Sequence, residues 1–510
     1  MLEPSPTASP PAVARPRRRL GVDSGHAHYK WWALSCTSLG MLLATINSGT
    51  LIIALPNLER ALHTSILSLV WVILAYMIAS TVLVLTAGRL SDLFGRKRAY
   101  VAGFIAFALT SLGAGFAADA GQLILWRIAQ GVGSAFIFAN AAALVTDAFP
   151  REELGLALGT NTMVAAVGLV LGPVLGGALV SIAWPWVFWF NVPVALAGAV
   201  WGGLILRELA KPDSVRGFDL LGTATFVLGL TGLVFAVSRG GLSGWDDPLV
   251  IGGLIVAAVL LPLFVVIEHR GRAPMLDLTI FRDRLFSAAT AAAFINGLSR
   301  FALMFVFVFY FQGAQGDDPI TAGIKLTPLA LGMLISSPVA GRWADRHGSR
   351  TLAALGMLVS AIGLGAMTTL EVHTPYWQST LWLLIVGVGS GMFNSPNTAA
   401  MMGTVPAQRR GIAAGARMML QNTGAVISIA FVLAIVTSAV PKTVLLAVFS
   451  GLSHGLTSAR LAPFIANMHT ALWVLAIVSL VGAAVSLMRP SHSSARADAR
   501  PVAEAEGAAA

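Results

Sequence analysis

The chain has 510 residues, 56% of them hydrophobic and 11% charged, with a mean hydropathy of +0.79 and a formal net charge of +10. So much apolar surface cannot be hidden in a water-soluble core, which excludes a soluble enzyme or binding domain and places the chain in a bilayer. The basic excess is scattered through short loops with no aromatic-interleaved soluble module, which speaks against a nucleic-acid partner.

Residues 1–30 are rich in Pro, Ala and Arg and read as a disordered cytoplasmic tail, too long and too polar to lead a signal peptide. From there on, windows of about 20 apolar residues, enough for a helix to cross a bilayer, recur along the chain. Fourteen spans are predicted: 31–55, 66–87, 98–117, 122–147, 159–182, 186–206, 218–238, 248–267, 285–312, 322–341, 352–370, 380–402, 411–439 and 469–488. Residues 489–510 form a second polar tail. Cys36 is the only cysteine, so neither an internal disulfide nor a cysteine-based metal site is expected.

Lys and Arg are retained on the cytoplasmic side of membrane proteins. With the N-terminus inside, the inner loops and tails collect 25 of the 33 basic residues, so both termini are expected in the cytoplasm. Arg60, Arg239, Lys325, Lys442 and Arg460 fall outside, and Arg127, Arg300 and Arg417 fall inside spans. The loop after span 2, Gly88-Arg89-Leu90-Ser91-Asp92-Leu93-Phe94-Gly95-Arg96-Lys97-Arg98, returns in degenerate form after span 10. There it reads Gly341-Arg342-Trp343-Ala344-Asp345-Arg346-His347-Gly348-Ser349-Arg350. An echo half a chain apart marks an internal duplication. Six spans per half make residues 31–206 an N-terminal bundle and 285–488 a C-terminal bundle. Spans 7 and 8, with their cytoplasmic linkers at 207–284, are then an inserted pair. In the long outer connection 440–468, the stretch Val444–Leu452 reads equally as an amphipathic hairpin on the membrane surface or as a plain loop.

Polar residues inside spans are the candidates for chemistry. Span 1 carries Asn47 and span 2 carries Tyr76. Span 4 carries Arg127, about five residues from its outer end and within reach of the interface by snorkelling. Asn140 lies further along the same span and Asp147 at its inner end. Span 5 holds a row of small residues, Gly168, Gly172, Gly176 and Gly177, that allows close helix packing, with Pro173 expected to add a kink. Span 9 places Arg300 near its centre beside Asn296. A charge there is expensive and calls for either an anionic substrate group or the carbonyls and amides of neighbours such as Asn47, and it reads equally as a structural lock between helices. Asn394 and Asn397 in span 12, with Gln421 and Asn422 in span 13, are further cavity candidates, each equally readable as interhelical glue. Arg417 can snorkel inward. Phe301, Phe305, Phe307, Phe309 and Phe311 are candidates to line an apolar cavity, or else face lipid.

Together these segments resemble the fourteen-helix drug:proton antiporter branch of the major facilitator superfamily, from residue 31 to residue 488. The Gly88–Arg98 loop is similar to the signature between helices 2 and 3 of that family. Leu125-Trp126-Arg127-Ile128-Ala129-Gln130-Gly131-Val132-Gly133 resembles its buried-arginine motif, and the span 5 glycines resemble the motif of its exporters. Trp184-Pro185-Trp186-Val187-Phe188-Trp189-Phe190-Asn191-Val192-Pro193 looks like the entrance to helix 6 in that branch, with Pro185 where Arg is usual. Pro274-Met275-Leu276-Asp277, with Phe281, Arg282 and Phe286, is similar to its connection into helix 9. The resemblance implies an all-α polytopic membrane fold of two pseudo-symmetric six-helix bundles plus two inserted helices, working by alternating access. It also implies that Asp92 sits at a helix N-terminus of the opposite half and that Arg96 pairs with Asp147. Gly88, Gly95, Gly341 and Asp345 complete this gating latch, which stabilises the outward-facing state.

One departure stands out. Ile46-Asn47-Ser48-Gly49-Thr50-Leu51-Ile52-Ile53-Ala54-Leu55-Pro56 matches the branch except that Asn47 replaces a membrane-embedded Asp. All 23 acids fall in tails, loops or helix ends, whereas proton-driven transporters usually keep a carboxylate near the midplane. The expected function is a monomeric, bacterial plasma-membrane exporter of small amphipathic or drug-like compounds, in contact with lipid and without a cofactor. Its coupling to protons follows from the resemblance; an exporter or facilitator of lipids or metabolites without proton coupling is the alternative. A polytopic membrane enzyme would need an intramembrane nucleophile with a base, or a metal cluster, and no such grouping is present.

Overall fold

Acidic residues at loop ends start several of the long helices. The side chains of Asp119, Asp219, Asp247 and Asp283 each accept a hydrogen bond from a backbone amide two or three residues on, at 2.7–2.8 Å, the geometry of an N-cap. The computed structural model describes residues 28–64, 66–209, 219–271, 278–406, 410–437 and 458–489, and among them all regular structure is helical. The long helices are α1 (Tyr29–Leu62), α2 (Ile66–Phe94), α3 (Arg96–Ala114), α4 (Ala120–Ala148), α5 (Leu154–Ile182), α6 (Trp186–Ile205, interrupted at Phe190) and α7 (Leu220–Ser243). They continue as α8 (Pro248–Arg270), α9 (Arg284–Phe309), α10 (Thr327–His347), α11 (Arg350–Ala366), α12 (Tyr376–Gly403), α13 (Arg410–Thr437) and α14 (Ser458–Leu487). A π-turn at Tyr310–Ala314 and a short helix at Pro319–Lys325 join α9 to α10. Asp318 caps that short helix, and the Thr321 hydroxyl and amide hold its carboxyl below the usual carboxylate range.

Each predicted span overlaps one of these helices; span 322–341 also takes in part of the short helix, and residues 218, 438 and 439 lie outside the described residues. Among the described residues, nine helical stretches are long and apolar enough to cross a membrane. The duplication is visible in the packing. In the first half α1 lies on α5, α2 and α3 lie on α4, and α3 lies on α6; in the second, α9 lies on α13, α10 and α11 lie on α12, and α11 lies on α14. The same pattern thus recurs eight helices later. The halves meet along two matching seams, α5 against α10 and α2 against α13. Helices α7 and α8 form a hairpin that approaches closely at Gly232 and Gly253. Phe226, Leu230 and Val234 of α7 pack with Val82 and Leu85 of α2 and with Ile412 and Met419 of α13. Helix α8 turns Leu254, Ile255, Val259, Leu263 and Val265 outward, an apolar face suited to lipid.

Two expectations are corrected, and one alternative, the snorkelling of Arg127, is not seen. Helix α14 begins at Ser458 rather than 469, because Leu461, Phe464, Ile465 and Met468 are buried in the second half's core even though Arg460 and Pro463 lower the hydropathy of those turns. Phe307 and Phe311 line no cavity and face no lipid: both are fully buried among Leu364, Met367 and Leu472. Arg127 does not snorkel; it is 1% exposed. Pro274–Asp277 and Val444–Leu452 lie outside the described residues.

Candidate functional site: a charge latch and a polar interior

The loop between α2 and α3 turns at Gly95, whose φ of +102° suits only glycine. The turn puts Arg96 at the start of α3, 2% exposed between two carboxylates. Its Nε and Nη2 donate to Asp92 Oδ1 at 3.0 and 2.8 Å, and its Nη1 donates to Asp147 at the end of α4. Asp92 reaches across to the other half: its Oδ2 accepts from the Ile412 amide at 3.0 Å, in the first turn of α13, where the helix dipole favours a negative charge. Arg410 at the head of α13 closes the circuit, with Nη1 3.0 Å from Asp147 Oδ1. Gly88 lies buried one turn before Asp92 on α2.

The second loop repeats half of this device. Gly348 turns at φ +88°, and Asp345 accepts from the amides of Gly155 (2.8 Å) and Leu156 (3.1 Å) in the first turn of α5. Where the first loop has Arg96 the second has Ser349, so Asp345 is held by the helix N-terminus. Gly341 and Gly155 face each other so closely that a Cβ on either would overlap the other's carbonyl. Ser395 of α12, fully buried, donates to the Gly155 carbonyl at 2.8 Å across the same seam.

Inside the first half, Arg127 is the hub of a polar cluster. It donates to the Val72 carbonyl (3.1 Å) and to Gln130, and its guanidinium lies 4.2 Å from the centre of the Tyr76 ring. The Tyr76 hydroxyl bonds Ser134 at 2.6 Å, and Gln130 donates to Ser111 at 2.7 Å. Asn47 accepts from Asn191 (3.3 Å) and at the longer distance of 3.5 Å from Gln130. Asn47 is therefore a member of this cluster and not the partner of Arg300 that the sequence suggested. Asn140, grouped with the cavity candidates, instead ties α4 to α2 just behind the latch, donating to Ser91 at 2.7 Å.

In the second half, Asn397 is not free for a cavity either; it donates to the Ala289 carbonyl (3.2 Å) and accepts from Arg489 (2.5 Å). Asn296 is buried and turned to the sulfur of Met357, 3.4 Å away on α11. Arg417, Gln421 and Asn394 form a chain, with Arg417 donating to Gln421 (2.8 Å) and Gln421 to Asn394 (3.3 Å). Asn422, beside them, is half-buried. Arg300 has as neighbours the Met333 sulfur at 3.6 Å from Nη1 and the Phe301 ring at 5.0 Å. Along α5, Gly168 faces Thr45, Gly172 faces Gly49 and Gly176 faces Thr50, so this row presses α5 onto α1; Gly177 instead meets Ile320 of the short helix before α10. Pro173 falls within α5.

Two half-related acids, each seated on the opposite half's helix N-terminus, and six helices repeating the pairings of the first six describe a duplicated membrane transporter. Residues 37–267 and 289–507 match the Major Facilitator Superfamily. The chain belongs to that superfamily. It is 29% identical over 423 residues to the tetracenomycin C resistance and export protein of Streptomyces glaucescens, covering 83% of this chain and 77% of that one. It is 32% identical over 416 residues to a puromycin resistance protein of Streptomyces alboniger, covering 80% and 82%. The structure of a human organic anion transporter superposes with a TM-score of 0.62 at 14% identity, over 90% of this chain and 99% of that one, a likeness of fold.

This major facilitator is thus a multi-pass membrane transporter and not an enzyme. Several of its site residues carried no sequence signal that singled them out. Glu208 accepts from the Arg96 and Lys97 amides at 2.7 and 3.2 Å and so caps α3 from the far end of the N-terminal bundle. Gln130, Ser111 and Asn191 complete the Arg127 cluster; Asn191 and Gln130 stood in quoted motifs, but neutral amides in a helix announce no partner. Arg410, one of the inner-loop basic residues, also holds Asp147.

Proposed function

We propose that this facilitator exports small amphipathic, drug-like compounds across a bacterial plasma membrane as a monomer of fourteen spanning helices, with both termini cytoplasmic. The observation that carries this reading is the latch. Asp92 on the N-terminus of α13 and Asp345 on the N-terminus of α5 hold the two halves together at the end that bears the basic loops. By the positive-inside rule that end is cytoplasmic, so the latched form is closed to the cytoplasm, and alternating access follows when the two pairs break and the halves rock apart. Relatives named for antibiotic resistance and export favour outward transport of drug-like cargo.

Proton antiport is the family's usual energy source, and one observation favours a second reading, transport without it. Among the described residues, the acids within the long helices sit near their ends, and Asn47 occupies the place of the expected acid, bonded within a neutral amide and hydroxyl cluster. Accumulation of a fluorescent amphiphile in inside-out vesicles decides. Accumulation that rises with an imposed acid-inside gradient supports antiport; accumulation unchanged by the gradient supports the uncoupled reading; no accumulation above vesicles lacking the protein contradicts export itself.

A further inference from the structure

Resting on the exporter reading, we propose that the cargo is an amphiphile with an anionic group, a carboxylate, sulfonate or phosphate, and that Arg300 is the residue that receives it. The basis is a contrast among the arginines. Arg96 is met by two carboxylates and Arg127 by a carbonyl, an amide and an aromatic face; Arg489, though its Nε and Nη1 are also covered and unbonded, keeps the Asn397 amide and the Ser486 hydroxyl as partners. A guanidinium has five N–H donors to satisfy. Arg300 spends one on a thioether, a weak acceptor, and lies near an aromatic ring; its Nε is covered and bonds nothing.

Its position makes that arrangement costly unless a ligand completes it. Arg300 lies about 24 Å from the start of α9 at helical rise, deep in the span. A charge held at that depth without a partner is costly. It does not face lipid: Met333, its neighbour, is 5% exposed and packs with Ala166 of α5 and Ala330 at the seam between the halves. The residue as a whole is half-buried.

A second cation lies on α13, the helix packed against α9. Gly297, one turn before Arg300, packs on the backbone carbonyl of Gln421. The Gln421 side chain links Arg417 to Asn394, and the Arg417 Nε is likewise covered and unbonded. Among the described residues, no carboxylate forms an ion pair with either arginine. Two guanidiniums on packed helices, in a protein whose long-helix acids, among the described residues, sit near the helix ends, form a field that attracts an anionic head and repels a cationic one, while Met333 and Phe301 supply apolar contact. The sequence left two partners open for Arg300, an anion or amides such as Asn47. Asn47 is engaged in the other half, and no carbonyl or amide among the described residues is hydrogen-bonded to the Arg300 side chain, which favours the anion.

The test uses the purified full chain in proteoliposomes and exchange of probe across the membrane, which needs no driving gradient. Three dansyl-labelled undecyl chains differ only in their end group: a carboxylate, a primary amide or a trimethylammonium. The wild type is expected to exchange the carboxylate at least about tenfold faster than the ammonium probe, the size of effect expected for a single close charge contact. Arg300→Gln is expected to lose at least about tenfold of the carboxylate rate and to leave the amide rate within about twofold, with Arg300→Lys between wild type and Arg300→Gln. Equal rates for carboxylate and ammonium, or an undiminished carboxylate rate in Arg300→Gln, overturn the proposal while leaving export standing. Equal loss of all three probes in Arg300→Gln, or a large fall in its unfolding temperature, makes Arg300 a structural lock and also overturns it. If the wild type moves none of the three probes, the exporter reading itself falls.

Discussion

At the scale of single residues, Arg96 and Gly95 carry the most specific demands. Removing one partner from a buried ion pair leaves the others uncompensated, at a cost of about 3–5 kcal/mol. Arg96 stands between Asp92 and Asp147 at 2% exposure, so Arg96→Ala is expected to lower the unfolding temperature in detergent markedly. Arg96→Lys is expected to recover only part of it, since an ammonium cannot fork between two acids. An Arg96→Ala protein as stable as wild type would show that the cluster contributes nothing net. Gly95→Ala faces two obstacles, the φ of +102° and a Glu208 carboxylate oxygen 2.6 Å from where a Cβ would sit. It is expected to cost on the order of 1–3 kcal/mol by the same measurement. These two residues were legible in the sequence because glycines, acids and bases crowded between apolar runs are improbable without a purpose. Glu208 and Asn191 were not, because their partners are 112 and 144 residues away and nothing local marks them.

At the scale of helices, the seam between α5 and α10 depends on glycine backbones meeting without side chains. Gly341→Val must part Gly341 from Gly155, and with it loosen the Asp345 contacts to the amides of Gly155 and Leu156. It is expected to reduce transport by about tenfold or more while the protein still inserts, because the change acts on how the halves meet. Gly203→Ala on α6 is the control, since a Cβ there meets nothing within 4 Å and transport is expected unchanged. Equal activity in both variants would remove the seam from the mechanism. Helix order and approximate position were readable from hydropathy alone, since lipid selects apolar composition over a fixed length. The start of α14 was not, because turns buried in protein do not need the hydropathy that lipid imposes.

At the scale of the whole molecule, the repeat of pairings eight helices apart makes the two latches symmetry-related but unequal. The first joins Asp92 to the Ile412 amide and adds the Arg96–Asp147–Arg410 circuit; the second has Asp345 on two amides. A carboxylate at a helix N-terminus contributes about 0.3–1 kcal/mol when exposed and up to about 2 when partly buried, so two of them suffice to bias a balanced pair of conformations. The duplication was legible from its two charged loops. The polar interior was not, because Asn47, Asn140 and Asn397 look alike in a sequence and differ only in which helix each one meets.

The central claim, that these two acids hold the basic-loop end shut, is tested most directly at Ser395, fully buried in the α5–α12 seam and bonded to the Gly155 carbonyl. In a Cys36→Ser background, Ser395→Cys is treated with a membrane-impermeant maleimide in inside-out vesicles. Labelling is expected to be slow with both acids present and at least about tenfold faster when Asp92→Asn and Asp345→Asn are combined. Labelling at the same rate in both proteins would contradict the account, since the seam would then stay closed, or stand open, without regard to the latch.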